Sequence, residues 1–190
     1  MFKFKNDLVI IDLEANQPSG TIIEIGAVRF TKDGNICSEK FSEIINPHEV
    51  LGTCRGGISI TELTGITQSM VDIADDFPKI IRRFQKYGKS LGSEFSLASW
   101  GGWDIPSLRA ECVKHGISWP FRGESFDIKS MVTFYSALEG KLEKKNSLKK
   151  MMMAWNLQQI GTAHRALPDA ENTALLLKAV IDYHNENSIL

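Results

Sequence analysis

The sequence predicts one α/β domain over residues 1–190, a mixed sheet of about five strands flanked by helices. Three observations carry this. Strand-like apolar runs open the chain, strands then alternate with helical periodicity, and neither an internal repeat nor a linker divides the whole. With 43% hydrophobic and 24% charged residues, the 190-residue chain can bury a sizeable core and is too apolar for disorder.

Leu8-Val9-Ile10-Ile11 is the compact, β-branched run of a strand buried in mid-sheet. Residues 21–30 form a second strand before the turn Lys32-Asp33-Gly34-Asn35. A third starts near Ile36, ends before Asn46-Pro47 and makes a hairpin with the second. Helical pieces broken by Gly65 occupy 60–71, and Pro78 opens a helix to about Tyr87. Residues 95–100 read as a buried strand ended by Gly101-Gly102. A helix follows over about 104–115, closed by Gly116 in a left-handed cap. A short strand at 126–128 leads into helical periodicity through Met131, Phe134 and Leu138. Ser147 opens another helix, and 166–183 is the last and most regular one. Five lysines against Glu143 in 141–150 read as a solvated flank or as a phosphate-contacting edge. Met151-Met152-Met153 reads as core filler.

Cys37, Cys54 and Cys112 are widely spaced and form no C-x-x-C pair, so free thiols in a reducing compartment are expected. The first apolar run is too short for a signal-peptide core or a membrane span, which predicts a cytoplasmic protein without membrane contact. The net charge of −1 argues at first against a nucleic-acid binder.

Chemistry gathers at a few acids. Asp12 and Glu14 follow the first buried strand, and their i, i+2 spacing sends both carboxylates to one face. Two acids at the end of a buried strand are costly unless a cation compensates them. Asp104 follows Gly101-Gly102-Trp103 and precedes Ile105-Pro106, where a plain helix N-cap would also explain it. Asp169 follows Pro168 at the start of the last helix, where an acid complements the helix dipole. Both acids nevertheless fall where strand or loop meets helix, the edge at which α/β proteins keep their sites. On one helix, five residues would turn His164 and Asp169 roughly 140° apart, so His164 belongs on the preceding loop, free to swing over the site as a general base.

Asp12-Leu13-Glu14 after a buried strand, Asp104 in SWGGWDIPSL, and His164 with Asp169 in HRALPDAENTALLL together resemble the DEDD superfamily of 3′→5′ exonucleases, in its histidine-bearing DEDDh branch. ITELTGIT at 60–67, INP at 45–47 and FP at 77–78 are similar to the small interfering RNA and histone-message exonuclease group, so the likeness covers nearly the whole chain. The tyrosine-bearing sister branch has Tyr four positions before its last acid, where this chain has Arg165. Pro168 departs from the common pattern and is expected to restrict the His164 loop.

The resemblance implies a ribonuclease H-like fold. It also implies two divalent ions, Mg²⁺ or Mn²⁺, on Asp12, Glu14, Asp104 and Asp169, with His164 as the catalytic base and Glu14 beside it. The expected reaction is release of nucleoside 5′-monophosphates from a single-stranded 3′ end, RNA favoured. DNA is the alternative substrate, and a non-catalytic nucleic-acid-binding module on the same fold the rival. The backbone of Leu13, Glu14 and Ala15 is expected against the terminal 3′-hydroxyl, with Ile66 as an apolar wall and Trp103 at the mouth for the terminal base. Trp103 has a competing place in the core under the following helix. Taking the four proposed ligand acids out of the 23, the 22 basic residues outnumber the acids, which repairs the charge argument for a substrate gripped at one end.

Overall fold

β1 (Asp7–Ala15) runs through the middle of a five-stranded sheet of order β3-β2-β1-β4-β5. The computed structural model describes residues 3–89, 95–141 and 146–187. β2 (Ile22–Phe30) and β3 (Ile36–Ile44) are antiparallel to their neighbours, whereas β4 (Phe95–Ser99) and β5 (Ser125–Asp127) continue the sheet in parallel. This is the mixed sheet the sequence predicts. The β2–β3 hairpin turns at Gly34, whose φ of 91° admits glycine without strain.

Alternation along β1 sorts the core into two layers. Val9, Ile11 and Leu13 join Ile25, Ala27 and Phe41 against α3 (Phe77–Lys89) and α4 (Asp104–Lys114), where Ile80, Phe84, Leu108 and Cys112 are buried. Leu8 and Ile10 take the opposite face, with Val28, Phe30 and Ala98. That face is covered by α5 (Ile128–Leu138), α6 (Leu148–Ala154) and α7 (Ala166–Asn187). Met151 and Met152 are buried there and Met153 is exposed, as core filler at a helix edge requires. A third cluster of Ile23, Ile60, Ile66 and Val71 anchors α1 (Ile60–Thr64) and α2 (Gln68–Asp72), with Gly65 as the left-handed cap between them.

Period 2 then places Asp12 and Glu14 on the same face as Leu8 and Ile10, and Glu24 and Gly26 of β2 lie opposite them in register. β1 pairs with β4 only from Asp7 to Ile11, so the strands part company just where the acids begin. Gly26 is the place where α7 meets the sheet. A Cβ there would lie 2.1 Å from the Leu167 backbone nitrogen and 2.2 Å from the Ala166 carbonyl carbon, so only glycine lets the helix approach this closely. Part of the lysine-rich segment, 142–145, lies outside the described residues. Lys141 is described, and its ammonium sits 4.0 Å over the Trp155 ring and 3.9 Å over that of Tyr183. Among the described residues the three cysteines are free, and no helix is long and apolar enough to cross a membrane.

Candidate active site

The acids meet at the end of β1, beneath the start of α7. Asp104 is not the N-cap that a simple helix start would make it. Trp103 holds that position without a side-chain cap, and the Asp104 carboxylate instead accepts the Leu13 N–H at 3.1 Å, across the gap left where β1 leaves β4. Asp169 lies in the first turn of α7 and accepts the His164 N–H at 2.9 Å. His164 stands on the loop before the helix, exposed, with φ at 61°. That left-handed backbone is uncommon outside glycine, and it persists only where the surroundings hold it. Ligand atoms of Glu14, His164 and Asp169 all lie within 4.8 Å of one another.

Each acid of the set is harder to ionise than a free carboxylate. Burial pushes the Asp12 pKa well above the ordinary carboxylate range, and the charges of Asp104, Glu14, Asp169 and Glu24 push it further. Glu14 is raised to about 8, by burial first and then by Glu24, Asp169 and Asp104, with Arg165 opposing. Burial raises Asp104 to about 6 against hydrogen bonds that include the Leu13 N–H. Asp169 is raised by burial and held back by the His164 N–H. Such a set suits hard divalent cations, whose charge compensates the carboxylates and whose preferred ligands are oxygens.

The loop carrying His164 is tied down by residues that sequence reasoning missed. Glu24, 1% exposed, accepts the Arg165 Nε at 3.2 and 3.1 Å, the Arg165 Nη2 at 2.7 Å and the Ala166 N–H at 2.9 Å. Asn172, fully buried on α7, accepts the Ile160 N–H at 2.8 Å and donates to the Ile160 carbonyl at 3.0 Å. Pro168 packs so closely on Gly161 that a Cβ there would meet its ring at 2.9 Å. The signal for Asn172 was a polar residue within the apolar stripe of a regular helix. Glu24 announced itself only as an acid inside a β-branched run.

Two of the expected substrate contacts need correction. Ile66 is 0% exposed inside the Ile23–Ile60–Val71 cluster, so it supports its loop from beneath and does not face a base. The Leu13 N–H is already spent on Asp104 and its side chain is buried, so Leu13 can offer a terminal 3′-hydroxyl only its carbonyl, beside the backbone of Glu14 and the half-buried Ala15. Trp103 is 48% exposed and therefore stands at the surface, not in the core.

A mixed-sheet α/β fold with four acids and a histidine converging at one strand end defines a metal-dependent phosphodiesterase of the ribonuclease H-like class. The exonuclease family RNase_T matches residues 9–177, and the chain belongs to that family as a 3′→5′ exonuclease bearing the DEDDh motif set. It is 28% identical to the probable 3′-5′ exonuclease KapD of Bacillus subtilis, over 92% of this chain and 84% of that one. It is 31% identical to the PolC-type DNA polymerase III of the same organism, covering 94% of this chain but only 12% of the polymerase. The nuclease domain of 3′hExo, a DEDDh family member solved bound to rAMP, superposes with a TM-score of 0.78 at 24% identity, over 94% of this chain and 92% of that one.

Proposed function

We propose that this exonuclease shortens single-stranded nucleic acid from its 3′ end, RNA in preference to DNA, releasing nucleoside 5′-monophosphates with two divalent ions and His164 as general base. The observation that carries the reading is the convergence of His164 with Glu14 and Asp169 beside Asp12 and Asp104. Asp12, Glu14, Asp104 and Asp169 would hold the ions. Bound there, the ions neutralise charge building on the phosphate and on the entering and leaving oxygens. His164 takes the proton of the attacking water on an imidazole nitrogen, helped by its exposed place and by Asp169, which fixes its backbone. As the water oxygen bonds to phosphorus, the bond to the 3′ oxygen of the penultimate nucleotide breaks, and the terminal 5′-monophosphate departs.

Backbone at Glu14 and Ala15 meets the terminal 3′-hydroxyl, and Trp103 stacks on the terminal base. The likeness to the 3′hExo nuclease domain supports RNA, and that to the polymerase supports DNA as the second reading. Side-by-side digestion of matched RNA and DNA strands, with free and blocked 3′ ends and with Mg²⁺, Mn²⁺ or chelator, tests all of this. Faster loss of the free-ended RNA, only with metal, is expected. Cleavage of blocked strands, or full activity in chelator, overturns the reading. Trp103→Ala is expected to raise KM by about 5- to 10²-fold while kcat on a bound end changes little, as base stacking worth roughly 1–3 kcal/mol predicts.

A further inference from the structure

We infer that Glu24 and Arg165 act as a positioning pair that holds the His164 loop against the sheet, an inference that rests on His164 being the base. A carboxylate in mid-sheet at the depth of Glu24 is unfavourable by itself, and an apolar side chain would serve packing better. This one also stands opposite Glu14 in the β1–β2 register, where its charge works against the ionisation of Asp12 and Glu14. What it gains is a grip on α7. One oxygen takes the Ala166 N–H, a donor with no partner inside a helix that begins at that residue, and both oxygens engage the fork of Arg165. A guanidinium fork fixes direction as well as distance, which a lysine ammonium cannot do.

Arg165 directly follows His164, so the clamp begins one residue beyond the base. On the other side of the base, Asp169 holds the His164 N–H. Between these two ties the backbone is kept at a φ of 61°, a conformation that a free loop would leave. Gly26, two residues along β2 on the same face, removes the side chain that would otherwise hold α7 away. The hydrogen bonds of the pair run between its two members and to the first residue of α7. Its effect on catalysis runs through the histidine.

The test is a comparison of Arg165→Gln in two backgrounds, wild type and His164→Ala, on a 5′-labelled single-stranded oligonucleotide with Mn²⁺. In the wild-type background kcat is expected to fall by about 10–10²-fold with KM unchanged, the size of a modest displacement of a reacting group. In the His164→Ala background the same substitution is expected to change nothing further. Mn²⁺ binding, followed by titration calorimetry, stays at the wild-type level. A folded Arg165→Gln enzyme with full kcat, an equal loss in both backgrounds, or lost Mn²⁺ binding each overturns the pair's role. If circular dichroism shows Arg165→Gln unfolded, the double variant Glu24→Gln with Arg165→Gln, which leaves no charge buried alone, is put through the same comparison. A His164→Ala enzyme at full rate overturns the base reading and the pair with it. A slow His164→Ala enzyme beside an unimpaired Arg165→Gln overturns the pair alone.

Discussion

Two halves of one sheet face obey opposite rules. At one end Leu8, Ile10, Val28 and Phe30 are sealed beneath α5, α6 and α7, and every atom contributes to packing. Two residues further along the same strand, Asp12 and Glu14 crowd with Asp104, Asp169 and Glu24, and their mutual charge works against the fold. Both halves hang on the same pair of strands and the same covering helix. Function has been written onto the scaffold by changing what alternate positions carry where β1 and β4 diverge, without any change of architecture.

The sharpest way to test that division is to truncate on either side of it. Asp12→Ala and Asp104→Ala are expected to bring 3′ digestion down to background. Metal-free Asp12→Ala should stay folded and melt no lower than wild type, since repulsion on this acid is removed. Asp104→Ala also strands the buried Leu13 N–H and should melt somewhat lower. Normal activity in either variant at equal metal would erase the division. His164→Ala comes next, slowing the chemical step by about 10²–10⁴-fold with Mn²⁺ binding retained. Loss of the ion in that variant would make the histidine a ligand. Ile10→Ala, from the packed half, should reverse the pattern, costing about 2–5 kcal/mol of stability in denaturant melts while the surviving folded enzyme keeps its kcat.

Gly26→Ala lies on the border and should damage both properties. The new methyl meets the Ala166–Leu167 backbone, α7 must lift, and a loss of about 1–3 kcal/mol should accompany lost turnover. A different handle is pH on the metal-free protein. Glu14 ordinarily titrates near 4.5 and is raised to about 8, so the folded chain holds this proton more tightly than the unfolded one. That advantage is complete below pH 4.5 and is lost as the pH rises through 8. The melting temperature should therefore fall across this window, and Glu14→Gln or saturating Mn²⁺ should make the slope shallower.

The packed half was legible in the sequence because burial writes a period: the runs at Leu8–Ile11 and in β2 predict their strands, and the element order follows. Asp12, Glu14, Asp104, His164 and Asp169 were legible as spaced motifs. What holds them was not. Glu24 meets Arg165 across 141 residues, a pairing fixed by where α7 lands and by nothing local. Asp104 read equally well as a helix cap, because only the divergence of β1 from β4 hands it the Leu13 N–H. Ile66 reads as a wall for a base from its place in the ELTGIT segment, yet three other apolar residues close over it. One-dimensional patterns report which residues want burial; they do not report which neighbour gets there first.

The docking of α7 on Gly26 also sets when the enzyme comes into being. Asp12 lies in the first element of the chain and Asp104 near its middle, but His164 and Asp169 arrive only with the last helix. A chain emerging from the ribosome makes its N-terminal parts first. Until α7 has been synthesised and has closed over β2, the growing polypeptide lacks both Asp169 and His164. On the proposed roles of these two residues, the nuclease stays inert until that helix seats.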